Sequence, residues 1–338
     1  MVYPSDTIIN AVIVSAISFL IIFLITPPFI KYLNKKGITV VDYHKPGKPL
    51  IPRPAGPVLL IGIVIAEILL YLLILDVKII SLLLTTTIAF FIGYIDDLKT
   101  MPGWFKPIAL ILAAIPIVVL GSHGNYLGLI FDSAFIPLLY IPLILSIIPI
   151  VGNTVNSIDV FNGVASGFMI IIMIPLLVSV LLFGNTNVFL MGLPLLFGCI
   201  AIYHYHKFPS KIFLGDSGTL LLGSMYAAIS IAGNSEIIAV IALLPAVMNS
   251  FLFLSSVKKI VEHRQVKTRP VTISDDYRLM ASKESRAPAT LVRLILAKGP
   301  LSEKEIINKI LILGTFSSIL SFISIVIQYS IMKGIISL

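Results

Sequence analysis

Apolar runs of roughly 17 to 25 residues recur along this 338-residue chain, and that recurrence limits the fold more than any other feature. Such a run can cross the hydrocarbon core of a bilayer as a helix, which satisfies its own backbone hydrogen bonds where no water is present. Ten runs stand at about 8–30, 57–75, 79–95, 107–122, 134–151, 164–183, 188–204, 219–233, 236–256 and 306–332. With 58% hydrophobic and 12% charged residues, the chain has too little polar surface to clothe a water-soluble globule. The expected fold class is all-α: a polytopic integral membrane protein of about ten transmembrane helices, one domain over 1–338, with no visible soluble domain or internal repeat. The first run lacks a basic leader and a small-residue cleavage pattern, so it reads as a retained helix. The single cysteine, Cys199, excludes an internal disulfide and makes a thiol zinc site untenable; it reads as a small buried hydrophobe.

The net charge of +8 would suggest nucleic acid in a soluble protein, but here its distribution speaks of topology. Twenty-two of the 24 Lys and Arg residues fall in alternate loops: 31–56, the turn after the third run, the turn after the seventh, and the long segment 257–305 with the start of the last run. Only Lys78 and Lys333 fall on the other side. The positive-inside rule makes the richer face cytoplasmic and both termini extracytoplasmic. No nucleic-acid partner is expected. Scarce glutamine, with common isoleucine and lysine, fits a heat-adapted source.

The unusual polar stretches share that basic face. "GYIDDLKT" ends the third run with Asp96 and Asp97, a negative pair at a helix C-terminus, which opposes the helix dipole. Lys99 and Lys106 could compensate a merely solvated end; the functional alternative is a metal-phosphate site or a general base. "NTVNSIDVFNG" spaces Asn153, Asn156, Asp159 and Asn162 by three, so a helix would line them on one stripe. Such oxygens suit a hard divalent cation, and the amides could also read a base edge. In "FPSKIFLGDSGT", Asp216 stands between Gly215 and Ser217 at the start of the eighth run, placed to cap that helix or to hold a metal. Phe213 could stack on a base or pack at the interface. "EHRQVKTRP" offers His263, Arg264, Lys267 and Arg269, either as topological charge or as a phosphate clamp. His204 and His206, two apart at a helix end, are poorly spaced for a metal, and Glu67 is a costly charge within the second run. No glycine-rich phosphate loop with Lys-Ser/Thr is present, which argues against ATP hydrolysis. Acids, amides and cations beside apolar spans suggest a Mg²⁺-pyrophosphate site where a soluble nucleotide donor meets a membrane-held acceptor.

Through "IPRPAG" (51–56), "GYIDDLKT", "NTVNSIDVFNG", "FPSKIFLGDSGT" and "EHR", the chain resembles the polyprenyl-phosphate N-acetylhexosamine-1-phosphate transferases over most of its length. "APATLVRLILAKGPLSEKEI" is similar to the eukaryotic and archaeal-type branch that acts on UDP-GlcNAc and dolichyl phosphate. The branch using UDP-MurNAc-pentapeptide carries a histidine-rich late loop, where this chain has His263 alone. The resemblance implies ten spans, Mg²⁺ (or Mn²⁺) dependence, an active site on the cytoplasmic face of the membrane, which in a prokaryote such as an archaeon is the cell membrane, and a possible homodimer. It implies transfer of GlcNAc-1-phosphate with UMP release, the first committed step of lipid-linked oligosaccharide (N-glycan) assembly. It also implies Asp96, Asp97, Lys106, His263 and Arg264 as catalytic residues. Asn156 and Asp216 resemble the metal ligands. Asn162, Phe213, Asp159 and Lys99 fall on the substrate side. Arg53 stands where the eukaryotic pattern has Glu. Two alternatives stay open: the same reaction on another UDP-N-acetylhexosamine for cell-wall or polysaccharide synthesis, and a transporter or flippase for an anionic lipid. The latter predicts ionisable groups near mid-membrane.

Overall fold

The computed structural model describes residues 5–258 and 268–335. Every one of the ten apolar runs is helical: α1 (Ser5–Lys36), α2 (Gly56–Ile74), α3 (Val77–Leu98), α4 (Phe105–Val119), α5 (Pro137–Ile158), α6 (Val164–Phe183), α7 (Thr186–His206), α8 (Gly215–Ala232), α9 (Glu236–Val257) and, after the short α10 (Leu291–Ile295), α11 (Glu303–Met332). Local chemistry sets several of the starts. Asp76 accepts the Lys78 N–H before α3, Asn185 accepts the Asn187 N–H before α7, and Ser302 with Glu305 forms a reciprocal capping box before α11. Among the described residues the strands form three antiparallel hairpins: β1 (Thr39–Val41) with β2 (Leu50–Pro52), β3 (Tyr126–Gly128) with β4 (Ser133–Phe135), and β5 (Val271–Ile273) with β6 (Leu279–Ala281). The chain is an all-α integral membrane protein.

Among the described residues, eight helices are long and apolar enough to cross a membrane by length and composition alone. The other two apolar runs differ for visible reasons. Helix α4 has only 15 residues. Helix α8 is rich in Gly, Ser, Thr and Ala, and every one of its residues is buried. It has no lipid to face, so it needs no strongly apolar surface, and small side chains let its neighbours approach. It packs against α3 and α5 most extensively, and against α2 and α7.

Contacts confirm that the helices alternate in direction. The ends of α3 and α5 meet the starts of α2 and α8 at one face, through Arg53, Asp97, Asn156 and Asp216. At the opposite face Lys78 donates to the Ala232 carbonyl, Asn187 to Asp76, and Ser179 to Ser235.

Two expectations need correction. Helix α5 runs seven residues past the expected 151. It then stops at Ile158, so Asn153, Asn156, Asp159 and Asn162 do not share one helical stripe: the first two lie in the helix, Asp159 is its C-cap, and Asn162 lies in the following loop. Helix α8 starts at Gly215, so Asp216 lies within its first turn rather than capping it.

Candidate active site

The acidic pair at the end of α3 sits under the N-terminus of α8. Asp97 Oδ1 accepts the Asp216 N–H at 2.9 Å. Its Oδ2 accepts the Ser217 N–H at 2.9 Å and the Ser217 hydroxyl at 2.6 Å. The charge that opposes its own helix dipole thus lies at the positive end of another, where it satisfies two amides that α8 leaves unpaired. Close packing of glycines makes this possible. A Cβ on Gly93 would stand 2.4 Å from the Asp216 carbonyl oxygen. Gly215 adopts φ +74°, and a Cβ there would meet Pro54 at 2.5 Å and the Asp97 oxygens at 2.8 and 2.9 Å.

Around this cap the remaining charges assemble. Asp96 is fully buried; its Oδ1 accepts the Met101 N–H at 2.7 Å, and its Oδ2 lies 3.3 Å from Lys106 Nζ. Lys106 also stands 3.8 Å from Asp216 Oδ1. The side chains of Asp96 and Asn156 both neighbour the Asp216 carboxyl. Arg53 Nη2 closes the ring, 2.9 Å from Asp97 Oδ1 and 3.3 Å from Asp216 Oδ2. Burial pulls the Arg53 guanidinium pKa down, but the carboxylates of Asp216, Asp97, Asp159 and Asp96 more than offset this and hold it above its ordinary value. Three carboxyl groups, one amide and two cations therefore meet at one end of the bundle.

Residues 79–234 match glycosyl transferase family 4. The chain is 26% identical over 324 residues to a Saccharolobus solfataricus protein provisionally named as a UDP-N-acetylglucosamine–dolichyl-phosphate N-acetylglucosaminephosphotransferase, covering 92% of this chain and 95% of that one. It is 24% identical over 295 residues to a Bacillus subtilis protein provisionally named as an undecaprenyl-phosphate N-acetylglucosaminyl 1-phosphate transferase, covering 85% and 82%. It is 27% identical over 257 residues to the phospho-N-acetylmuramoyl-pentapeptide-transferase of Caldicellulosiruptor bescii, covering 69% and 78%.

Other residues singled out in this transferase are distributed as follows. Phe213 is half-buried in the turn before α8, where its N–H donates to the Pro52 carbonyl at 2.9 Å. Asp159 turns toward His206, whose Nε2 lies 3.6 Å from Oδ1 and whose Nδ1 pairs with Ser166 Oγ at 2.8 Å. Burial raises the Asp159 carboxyl to about 7, against the pull of Arg53. Asn162 is buried and both ends of its amide are engaged: Oδ1 accepts from Lys45 at 2.6 Å and from the Ser210 N–H at 2.7 Å, and Nδ2 donates to Asp42 at 3.3 Å. In this arrangement it ties the 39–52 hairpin to the turns before α6 and α8. Asn153 bonds back to the Pro149 carbonyl of its own helix. Lys99 is exposed at the C-cap of α3, outside the cluster. His263, Arg264 and Lys267 lie outside the described residues, and Arg269 is described.

The sequence reading left Arg53, Ser217, Asp42, Lys45 and His206 without roles. Arg53 lies inside a quoted motif, so its position was marked although its partners were not. Glu67 is wholly buried on α2, with no hydrogen-bond partner among the described residues for either oxygen.

The donor set fits a hard divalent cation. No group of three His, Cys, Asp or Glu residues forms a ready metal cage among the described residues. Magnesium, however, is commonly held by one or two carboxylates together with substrate phosphates and water. Asp216 with the Asn156 amide provides oxygen donors of that kind, next to cations suited to phosphate.

Proposed function

We propose that this transferase moves GlcNAc-1-phosphate from UDP-GlcNAc to a polyprenyl phosphate of the dolichyl type, giving polyprenyl-diphosphate-GlcNAc and UMP at the cytoplasmic face of the cell membrane. The observation that carries the reading is the meeting of Asp96, Asp97, Asn156, Lys106 and Asp216 at one end of an apolar bundle, in a chain whose long-range relatives are named for this class of reaction. Apart from Glu67, buried midway along α2, the charges of this cluster gather at that end, which disfavours a transporter that would place its ionisable groups near mid-membrane.

An acceptor phosphate oxygen forms a bond to the β-phosphorus, and the bond from that phosphorus to the bridging oxygen breaks, with the electron pair leaving on UMP. Asp216 and the Asn156 amide would hold Mg²⁺, which supplies Lewis-acid charge to the diphosphate. Lys106 adds fixed positive charge where the leaving oxygen becomes negative. The acidic pair divides its work. Both oxygens of Asp97 are committed to α8 and Arg53, so its task is to position the first turn of α8. Asp96, whose Oδ2 contacts Lys106, is the group placed to take the acceptor proton. His263 and Arg264 would supply late-loop contacts to phosphate and sugar, with Phe213 on the uracil side.

The test is a purified-protein assay with radiolabelled UDP-GlcNAc, polyprenyl phosphate and Mg²⁺. Lipid-linked label with stoichiometric free UMP is expected, and a panel of UDP-sugars sets the donor. No lipid-linked product from any UDP-N-acetylhexosamine would refute the reading.

A further inference from the structure

Arg53 is the one charged member of the cluster that this mechanism does not use. Its backbone is held from two sides. The Arg53 N–H donates to the Ile38 carbonyl at 3.4 Å beside the β1–β2 hairpin. The flanking residues pair with the turn before α8: Phe213 N–H to Pro52, and Ala55 N–H to Phe213 and Leu214, at 2.9 to 3.1 Å. The side chain is free of that clamp and remains 22% exposed, so the guanidinium has an opening toward water.

The guanidinium stands where a metal would find its charge opposed. Lys106 approaches one oxygen of Asp216 at 3.8 Å, and Arg53 approaches the other at 3.3 Å. A dication on that carboxylate would face two fixed cations at short range. Arginine cannot lose its proton to relieve the repulsion. It can only turn away, or be compensated by an arriving anion. A diphosphate supplies that anion, and the planar guanidinium fork matches phosphate oxygens.

We propose that Arg53 is a built-in counter-cation. In the substrate-free protein it neutralises Asp97 and Asp216 and competes with the divalent ion. When a nucleoside diphosphate enters, Arg53 transfers its contacts to the diphosphate and releases the carboxylate to the metal. Metal and donor therefore bind as a coupled pair, each strengthening the other by the same factor. The inference rests on the reading of this cluster as a metal-diphosphate site.

The test is direct Mn²⁺ binding to the full chain in detergent, read from the EPR signal of free Mn²⁺, with and without UDP. The variants are Arg53→Ala and Arg53→Lys, with thermal melts as folding controls. Wild-type protein should bind Mn²⁺ weakly alone and more tightly with UDP. Arg53→Ala should bind Mn²⁺ alone at least about tenfold more tightly, the scale on which one adjacent opposite charge shifts a carboxylate equilibrium. It should also bind UDP more weakly and lose most of the coupling. Arg53→Lys, which keeps the charge, should bind Mn²⁺ alone nearly as weakly as wild type. If Arg53→Ala fails to fold, Arg53→Lys still decides: weak Mn²⁺ binding alone, as in wild type, supports the counter-cation, and Mn²⁺ bound alone at least about tenfold more tightly despite the retained charge overturns it. Arg53→Ala that folds and binds Mn²⁺ no more tightly than wild type makes Arg53 a structural ion pair and overturns it. Folded wild-type protein that binds no Mn²⁺ with or without UDP overturns the metal-diphosphate reading itself.

Discussion

Asp97, the last acid of α3, caps α8: its two carboxylate oxygens accept the Asp216 and Ser217 amides at 2.9 Å each. The residue that looks like half of a catalytic pair is thus the support on which the proposed metal ligand stands. Asp97→Ala should lower thermal stability and turnover together, because buried amides lose an ionised acceptor, at roughly 1–3 kcal/mol. Ser217→Ala, which removes only the 2.6 Å hydroxyl contact, should cost about 1 kcal/mol and keep most activity. Melting curves and initial rates on the same preparations check both, and an Asp97→Ala protein with wild-type stability would contradict the capping role.

Asp216 differs because its side chain, not its amide, faces the proposed metal. Asp216→Asn should leave the fold intact, since Asp97 still caps the helix, while turnover falls by a factor of at least about 100, as expected for loss of charge stabilisation at the reacting centre. Chelation with EDTA should abolish wild-type activity, and added Mg²⁺ or Mn²⁺ should restore it. Near-normal turnover in Asp216→Asn would remove this residue from the metal site.

The approach of α3 to α8 depends on the absence of one side chain. Gly93→Ala would place a methyl group 2.4 Å from the Asp216 carbonyl oxygen, with backbone that cannot rotate away. Overpacking of this kind costs about 1–3 kcal/mol. The expected outcome is a lower melting temperature together with lost activity, measured in parallel with Asp97→Ala.

A pH dependence follows from Asp159. Burial raises its carboxyl to about 7, so the fold favours the neutral acid. The sign is that of a raised folded-state pKa: the contribution is fully present below the ordinary carboxylate range and is lost as pH rises through about 7. Wild-type protein should melt at a lower temperature at pH 8 than at pH 6, and Asp159→Asn should flatten that slope. An unchanged slope in the variant would assign the dependence to another group.

Much of the architecture was legible because a bilayer imposes a simple rule. Ten apolar runs became ten helices, and the placement of Lys and Arg already grouped the loops that meet at the site. Helix ends were less legible. The apolar signal of α5 fades near Val151, yet the helix continues to Ile158, because its last turns are buried against α8 and α9 rather than exposed to lipid. The spacing of three between Asn153 and Asn162 suggested a stripe, but the helix stops before the stripe is complete. Asn153 then bonds its own backbone, Asp159 pairs with His206, and Asn162 locks the hairpin.

By itself, then, the order of residues determined the membrane class, the ten apolar helices and the grouping of the loops at the site, since these depend on local hydrophobicity and charge. Only the tertiary structure decided which of two adjacent aspartates supports a helix, which amides face the cluster, and that Arg53 bridges two acids. Those outcomes depend on contacts between residues 44 to more than a hundred positions apart, such as Arg53 with Asp97 and Asp97 with Ser217, and on glycines that let backbones touch. No local pattern encodes such distances.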